Sequence, residues 1–351
     1  MLGIEFFNWL TKSASHGGLD DFSDRLSFQY SSIVFAVFTT FISATQYFST
    51  SITCILTNAL EVRNFEEYME KFCWSEGTIN ILPTERIPET EMEWENVKRN
   101  RKINYYQWIP FALSLQCILF YIPRLIWQML YRVIKDVNLT QLNVESLRYA
   151  LDIRYKNKFW KITSSLLLWY NVIKLIYLIN CVGQLYFMQH FLGFTGSIPS
   201  FGYTLTNQII NGKDWQNIQM FPRVTYCYAS DIRTLGSIQK VADQCVLPSN
   251  MLNEKIYIFL WYWVILVTII TATSIPIWNV IVLRNQRSFI LQRLKQKKTR
   301  HISRFYNYIY TDGIFLLRMV SCNDGELSTS NLINNLWEDF NLNVDESSVF
   351  V

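Results

Sequence analysis

Four stretches nearly free of charge constrain this chain more than any other feature of its sequence. Residues 26–60, 105–123 and 256–283 contain no Asp, Glu, Lys or Arg, and residues 162–191 contain only Lys174. An α-helix rises about 1.5 Å per residue, so about 20 apolar residues are enough to cross a hydrocarbon core of about 30 Å. The pattern therefore predicts an integral membrane protein with four spanning helices.

The spans set the predicted domain organisation. We place them at residues 26–50, 104–130, 162–191 and 256–283. The other segments are an N-terminal segment 1–25, connections 51–103, 131–161 and 192–255, and a C-terminal region 284–351. The N-terminal segment carries four acidic side chains and no continuous apolar core, which is not typical of a cleaved signal peptide.

The distribution of basic residues predicts the orientation, because short loops rich in Lys and Arg stay in the cytoplasm. Residues 131–161 contain seven Lys or Arg and three acidic residues, whereas residues 284–304 contain eight Lys or Arg and no acid. We therefore expect both termini in the cytoplasm, and residues 51–103 and 192–255 outside the cell. Four basic residues within residues 98–102, at the outer end of span two, run against this rule.

The seven cysteines are divided by this topology. Three lie in spans or in the tail, and four lie in the outer connections: Cys54, Cys73, Cys227 and Cys245. Because the cell exterior is oxidising, an even set of four outside predicts a disulfide framework. Four cysteines permit three pairings. Their distances from the spans favour Cys54–Cys245 with Cys73–Cys227, and pairing within each loop is the alternative. The predicted fold class is an all-α membrane protein, a four-transmembrane-helix bundle with a disulfide-stapled extracellular loop cap and a helical cytoplasmic region.

Several motifs of the membrane region resemble those of the innexins, the gap-junction proteins of invertebrates. Span two begins with residues similar to the Tyr-Tyr-Gln-Trp signature of that family and its following proline: Tyr105, Tyr106, Gln107, Trp108 and Pro110. Shorter matches lie in both outer connections and at the start of span four: Phe72-Cys73-Trp74, Gln244-Cys245-Val246-Leu247 and Asn253-Glu254-Lys255-Ile256. The approach to Cys54, Ser51-Ile52-Thr53, lacks the proline usual in the family.

The resemblance implies a subunit of a large-pore gap-junction channel, in the plasma membrane at cell–cell junctions. Subunits would form a homo-oligomeric ring of about eight, or a ring with other innexins, and dock with a ring of the adjacent cell to pass ions and small molecules. The Asn-x-Ser/Thr motif occurs only at Asn138, on the predicted cytoplasmic side, so the outer loops offer no glycan acceptor. A non-junctional hemichannel, and a four-span adhesion or scaffold protein without a pore, are the alternatives.

The same resemblance implies that the N-terminal segment forms a short helix in the pore mouth. The candidate pore-lining residues are Met1, Leu2, Gly3, Glu5 and Asn8, with Gln46 in the polar outer half of span one. Glu5, repeated around a ring, would favour cations. The alternative for the segment is an amphipathic anchor lying on the membrane. The alternative for the hydroxyls of span one is hydrogen bonding back to helix carbonyls.

Lys174 and the prolines of the spans are further candidates. A lysine in the middle of a span is energetically costly and suggests function, with snorkelling or packing between subunits as the alternative. Since no acid lies within a span, we expect Lys174 to contact helix carbonyls, Asn180, Tyr177 or a water-filled crevice. Pro110 and Pro276 remove backbone donors and are candidate hinges or static kinks.

No catalytic or metal-binding pattern is present in the sequence. The three histidines lie in unrelated segments, and neither a Walker nor a Rossmann glycine pattern occurs. The net charge of +4 is modest, and the basic residues lie beside the spans, so the sequence gives no indication of nucleic-acid binding. We therefore expect no enzyme activity, no metal and no cofactor. The basic residues of 284–304 are expected to attract anionic membrane lipids.

Overall fold

The computed structural model describes residues 20–55, 63–82, 85–135, 166–193, 202, 207, 221–234, 237–284, 286–294 and 302–349. Within these residues, four helices are long and apolar enough to cross a membrane: Phe22–Phe48, Tyr105–Leu130, Leu166–Phe191 and Pro248–Leu283. Two disulfides join the loop regions between them. The predicted fold class is therefore confirmed.

The first spanning helix is made of three consecutive segments. These are α1 (Phe22–Arg25), a π-helical turn (Leu26–Tyr30) and α2 (Ser31–Phe48). The helix starts ahead of the predicted residue 26 because Asp21 and Asp24 form a capping box, in which each carboxylate accepts a backbone N–H of the first turn.

The remaining elements follow in chain order. The helices are α3 (Arg63–Glu76), α4 (Glu91–Arg101), α5 (Tyr105–Lys135), α6 (Leu166–Phe191), α7 (Pro248–Leu283), α8 (Gln286–Arg293), α9 (Ile302–Asn323) and α10 (Gly325–Val349). The strands are β1 (Thr53–Ile55), β2 (Thr78–Ile79), β3 (Lys102–Ile103), β4 (Val224–Thr234) and β5 (Ser237–Val246). Helix α7 begins at Pro248, ahead of the predicted residue 256, and proline suits a first helical position because its missing N–H has no partner there anyway.

The chain divides into two compact units. The terminal unit comprises Met1–Ile33, Ile118–Val182 and Leu266–Val351. The loop unit comprises Val34–Cys117 and Gly183–Ile265, and it contains both connections with paired cysteines.

A five-stranded antiparallel sheet, in the order β1-β5-β4-β2-β3, forms the centre of the loop unit. Strands β4 and β5 form a hairpin, and β1 pairs with the outer edge of β5. Gly77 makes the turn between α3 and β2, with φ +93° and its N–H donated to the Cys73 carbonyl at 3.0 Å. Glycine is favoured there because the left-handed region is strained for other residues.

An aromatic core fills the terminal unit. Tyr170 of α6 lies at its centre, with ring centroids 5.6 Å from Trp127, 5.9 Å from Trp278 and 5.0 Å from Phe315. These four residues come from α5, α6, α7 and α9, so the core joins three spanning helices to the C-terminal helices. The Asp312 carboxylate accepts the backbone N–H of Leu166 at 3.0 Å.

Candidate functional site

Two disulfides bind the first connection to the second within the loop unit. Cys54 and Cys245 are direct partners in the antiparallel register of β1 and β5, and they are bonded to each other. Cys73 of α3 is bonded to Cys227 of β4. All four cysteines are buried, so the bonds lie inside the cap that the two connections form together.

The sulfurs of Cys54, Cys73 and Cys245 lie within 4.8 Å of one another. This spacing could hold a metal ion if the cysteines were free thiolates. They are not available as thiolates, because each is part of a disulfide. The arrangement instead brings the two covalent links of the cap next to each other.

The two sequence motifs of the first connection and span two contact each other. Tyr106 is fully buried, and its ring centroid lies 4.7 Å from that of Trp74, the residue after Cys73. The Gln107 amide donates to the Trp74 carbonyl and, at 3.3 Å, to the Ser75 carbonyl. The start of α5 is thereby fixed to the end of α3, the helix that carries Cys73.

A small apolar cluster packs helix α4 against the sheet. Trp94 stacks on Tyr228 of β4 with ring centroids 5.3 Å apart and an interplanar angle of 8°. Ile79 and Ile81 complete the buried cluster. Lys240 of β5 forms an ion pair with Glu91 at the start of α4.

Trp108 and Pro110 lie on the first turns of α5. Trp108 is more than half exposed, as a residue facing the membrane interface would be. Pro110 lies within a continuous α5, and Pro276 lies within a continuous α7. Their proposed role as hinges stays a prediction.

The polar side chains of span one bond mainly to their own helix. The hydroxyls of Thr39, Thr40, Ser43 and Thr45 donate to carbonyls three or four residues earlier, at 2.7 to 2.9 Å. This is the alternative that the sequence left open for these hydroxyls. Gln46 is half-buried, and its amide donates to the Tyr106 carbonyl at 2.7 Å. Its predicted place on the pore wall stays a prediction.

Lys174 has acidic partners, and the expectation that it contacts helix carbonyls, Asn180, Tyr177 or a crevice is wrong. Its side chain is fully buried in the terminal unit, and its Nζ lies 2.8 Å from Asp24 Oδ1 and 3.1 Å from Asp21 Oδ2. Ser274 accepts from the same nitrogen at 2.8 Å, and Ser23 also accepts from it. The acids lie outside the predicted span, which is why a search within the spans missed them.

Two further contacts bind the same acidic segment, residues 20–25. Arg124 of α5 lies 3.5 Å from Asp20, and Arg25 donates to the side-chain oxygen of Asn323 at the end of α9. Burial raises the pKa of Asp20 to about 6, against the opposing effect of Arg124. Burial also acts to raise the pKa of Asp21, but Lys174 and the hydrogen bonds to that carboxylate outweigh it and leave the pKa below its ordinary value.

The signal that could have identified these partners was present in the sequence. Three acids, Asp20, Asp21 and Asp24, lie immediately before the first predicted span. The four stretches that are nearly free of charge contain a single lysine, Lys174. A buried charge in a membrane protein needs a counter-charge. The candidates Met1, Leu2, Gly3, Glu5 and Asn8, and the motif at Asn138, lie outside the described residues.

Known proteins resemble this chain over almost its full length. The family model described as Innexin matches residues 20–340. Innexin unc-9 of Caenorhabditis elegans is 30% identical over 379 residues, covering 96% of this chain and 96% of that protein. Innexin-11 of the same organism is 28% identical over 388 residues, covering 96% and 82%, and Innexin-5 is 30% identical over 383 residues, covering 96% and 84%.

Proposed function

We propose, from the premise that this chain belongs to the innexin family of gap-junction channel-forming proteins, that its loop unit is the docking face of a channel ring. About eight copies would surround the pore, and the ring would meet an identical ring in the membrane of the adjacent cell. The path formed in this way would carry ions and small molecules between two cytoplasms.

The pair of disulfides between the two connections carries this proposal. Each subunit has a cap in which β1, α3 and the β4–β5 hairpin are joined covalently, so the cap presents one surface in place of two separate loops. A preorganised surface loses less conformational entropy when it binds a partner. Disulfides form and persist mainly in oxidising environments, and this supports placing the cap outside the cell and both termini inside it.

Docking is favoured over a permanently unpaired hemichannel by the sequence of the connections. Neither 51–103 nor 192–255 contains an Asn-x-Ser/Thr motif, so no attached sugar would separate two opposing caps. The basic segments 131–161 and 284–304 support the same orientation through the positive-inside rule.

The pore mouth is proposed to be formed by the N-terminal segment. Met1, Leu2, Gly3, Glu5 and Asn8 would then line its narrow part, and Gln46 would lie farther along the path. A ring of Glu5 carboxylates would attract cations and repel anions. Glu5→Gln should therefore reduce the preference of the channel for cations over anions.

Paired cells test the proposed function. When the chain is expressed in both cells of a pair, we expect junctional current and passage of a small dye from one cell to the other. Surface labelling in the same cells provides the control for delivery. Current in single cells without current between paired cells would support the undocked hemichannel. Absence of both currents despite surface delivery would contradict a channel and leave the adhesion protein as the better reading.

A further inference from the structure

Lys174 is held by four side chains from two other parts of the terminal unit. Asp21, Ser23 and Asp24 come from the start of the first spanning helix, and Ser274 comes from α7. The Tyr170 hydroxyl, one helical turn before Lys174, donates to Asp24 at 2.8 Å. A buried ammonium ion with this many oxygen partners is a fixed point of attachment, because any displacement would leave a charge in an apolar environment.

The charges around this point balance. Three acids, Asp20, Asp21 and Asp24, are matched in number by three bases: Lys174 and Arg124, which form ion pairs with them, and Arg25 of the same segment, which contacts Asn323. The bases Lys174 and Arg124 belong to α6 and α5, and Arg25 reaches Asn323 of α9. The segment of residues 20–25 is thereby attached to helices α5, α6, α7 and α9.

Helix α1 is the first turn of the first spanning helix. The N–H groups of a first helical turn have no partner within the helix, so this turn depends on the groups that cap it. Its capping residues Asp21 and Asp24 are the same residues that bind Lys174, so one ammonium ion stabilises both the conformation and the position of α1. Residues 1–19 lie outside the described residues, and the anchored segment is the part of the described chain that follows them in sequence.

We propose that Lys174, with Asp21 and Asp24, is the anchor that positions the N-terminal segment in the pore mouth, and that Lys174 is thus a positioning residue for permeation. The proposal rests on the proposed function, since it assumes that residues 1–19 line the pore. It goes further in assigning the position of those residues to a lysine of the third span whose side chain is fully buried within the subunit. The contact of Arg25 with Asn323 gives the C-terminal helix α9 a direct attachment to the same anchor.

Accessibility of the N-terminal segment tests the anchor. Asn8→Cys is introduced in a Cys322→Ser background, since Cys322 is the exposed free cysteine of the described residues. In paired cells, a positively charged methanethiosulfonate reagent enters one cell from the patch pipette, and the rate at which it changes the junctional current is measured. We expect Lys174→Met to change this rate about tenfold, a typical size for coupling between two sites, and to shift the voltage dependence of the current. Lys174→Arg, which keeps the charge, should preserve more of the original behaviour.

Glu326→Gln is the matched control, because it removes one charge from another ion pair of the terminal unit, that of Arg293 with Glu326. It should leave the reaction rate at Asn8→Cys unchanged.

If Lys174→Met fails to reach the surface, Asp21→Asn is used for the test, since it leaves Asp24 as a partner of Lys174. Variants that reach the surface with an unchanged rate and voltage dependence would overturn the anchor. Retention of both variants inside the cell would assign the cluster to folding and would equally overturn it. Failure of the proposed function is distinguished by the parent chain, which would then give no junctional current.

Discussion

The interactions that stabilise the interior of the loop unit differ from those that stabilise the interior of the terminal unit. In the loop unit, two disulfides and a five-stranded sheet fix the connections. Charged pairs such as Lys240 with Glu91 are largely exposed there, although Glu254, the partner of Arg223, is buried. In the terminal unit, buried ion pairs around Lys174 and an aromatic core around Tyr170 serve the same purpose. The difference agrees with the proposed orientation, since disulfides persist outside the cell and are rare in the cytosol. It also distinguishes the proposed docking face, which is linked covalently, from the proposed anchor, which is held by noncovalent contacts.

The largest effect is expected from removing a covalent link of the loop unit. Cys54→Ser combined with Cys245→Ser leaves neither partner of this bond as an unpaired thiol and opens a link between residues 191 apart in sequence. Loss of a native disulfide typically costs about 2–5 kcal/mol, so we expect junctional current to disappear. Cys322→Ser, which removes an exposed free cysteine, should conduct normally. Normal junctional current in the double variant would show that the cap does not depend on this bond.

A smaller effect is expected at the turn between α3 and β2. In Gly77→Ala the new Cβ would lie 2.7 Å from the Ile103 carbonyl oxygen, and the backbone would keep a φ of +93°. Strain of this kind costs about 1–3 kcal/mol, so the melting temperature of the detergent-solubilised protein should fall. Gly193→Ala is the matched control, since Gly193 has φ +74° and nothing within 4 Å of its added Cβ. Equal losses in the two variants would mean that the close approach to Ile103 carries no cost.

The smallest effect is a pH dependence that arises from Asp20 of the terminal unit. Burial raises the pKa of Asp20 from 3.8 to about 6, while Arg124, Asp24, Arg25 and Lys174 are the charged groups that act on it. The native state therefore binds more protons than the unfolded state between these values. The stabilising contribution of Asp20 is complete below about pH 4 and is lost as the pH rises through about 6.

Thermal unfolding of the solubilised protein between pH 5 and pH 8 measures this contribution as the difference between the parent chain and Asp20→Asn, because that difference cancels the titration of other groups such as the histidines. The melting temperature of the parent chain, relative to that of Asp20→Asn, should decrease as the pH rises. Glu67→Gln, at an exposed ion pair of the loop unit, should show no such trend. A difference between the parent chain and Asp20→Asn that stays constant with pH would contradict the raised pKa.

The sequence predicted the membrane-spanning helices well because their signal is local. Absence of charge over a span-length window is a property of consecutive residues, and the helices lie close to the predicted segments. The relation between the Tyr106-Gln107 and Cys73-Trp74 motifs was not predictable, because it is a contact between segments about 30 residues apart. The same reason explains why the addition of β1, β2 and β3 to the β4–β5 hairpin was not foreseen. Two of these strands have only two residues, and no alternating pattern can be recognised over so short a length.

The partners of Lys174 show a second limit of sequence reasoning. Membrane helices were treated as ending where charge begins, which separated Asp21 and Asp24 from the span that they precede. In the structure the first spanning helix begins at Phe22, so these acids are part of its capping turn and reach a lysine of another span. The charge balance of the spans could have predicted an acidic partner, but not which acid it would be.

Heterotypic pairs of cells test most directly the central claim that docking belongs to the loop unit and the pore mouth to the terminal unit. One cell expresses the parent chain, the other expresses a variant, and junctional current is recorded at both polarities. With Lys174→Met in the second cell, we expect current that persists but depends on polarity, because the rings dock while the two pore mouths differ. With Cys54→Ser and Cys245→Ser in the second cell, we expect no current. A silent Lys174→Met pair despite surface delivery, or a conducting pair with the cysteine variant, would contradict this division.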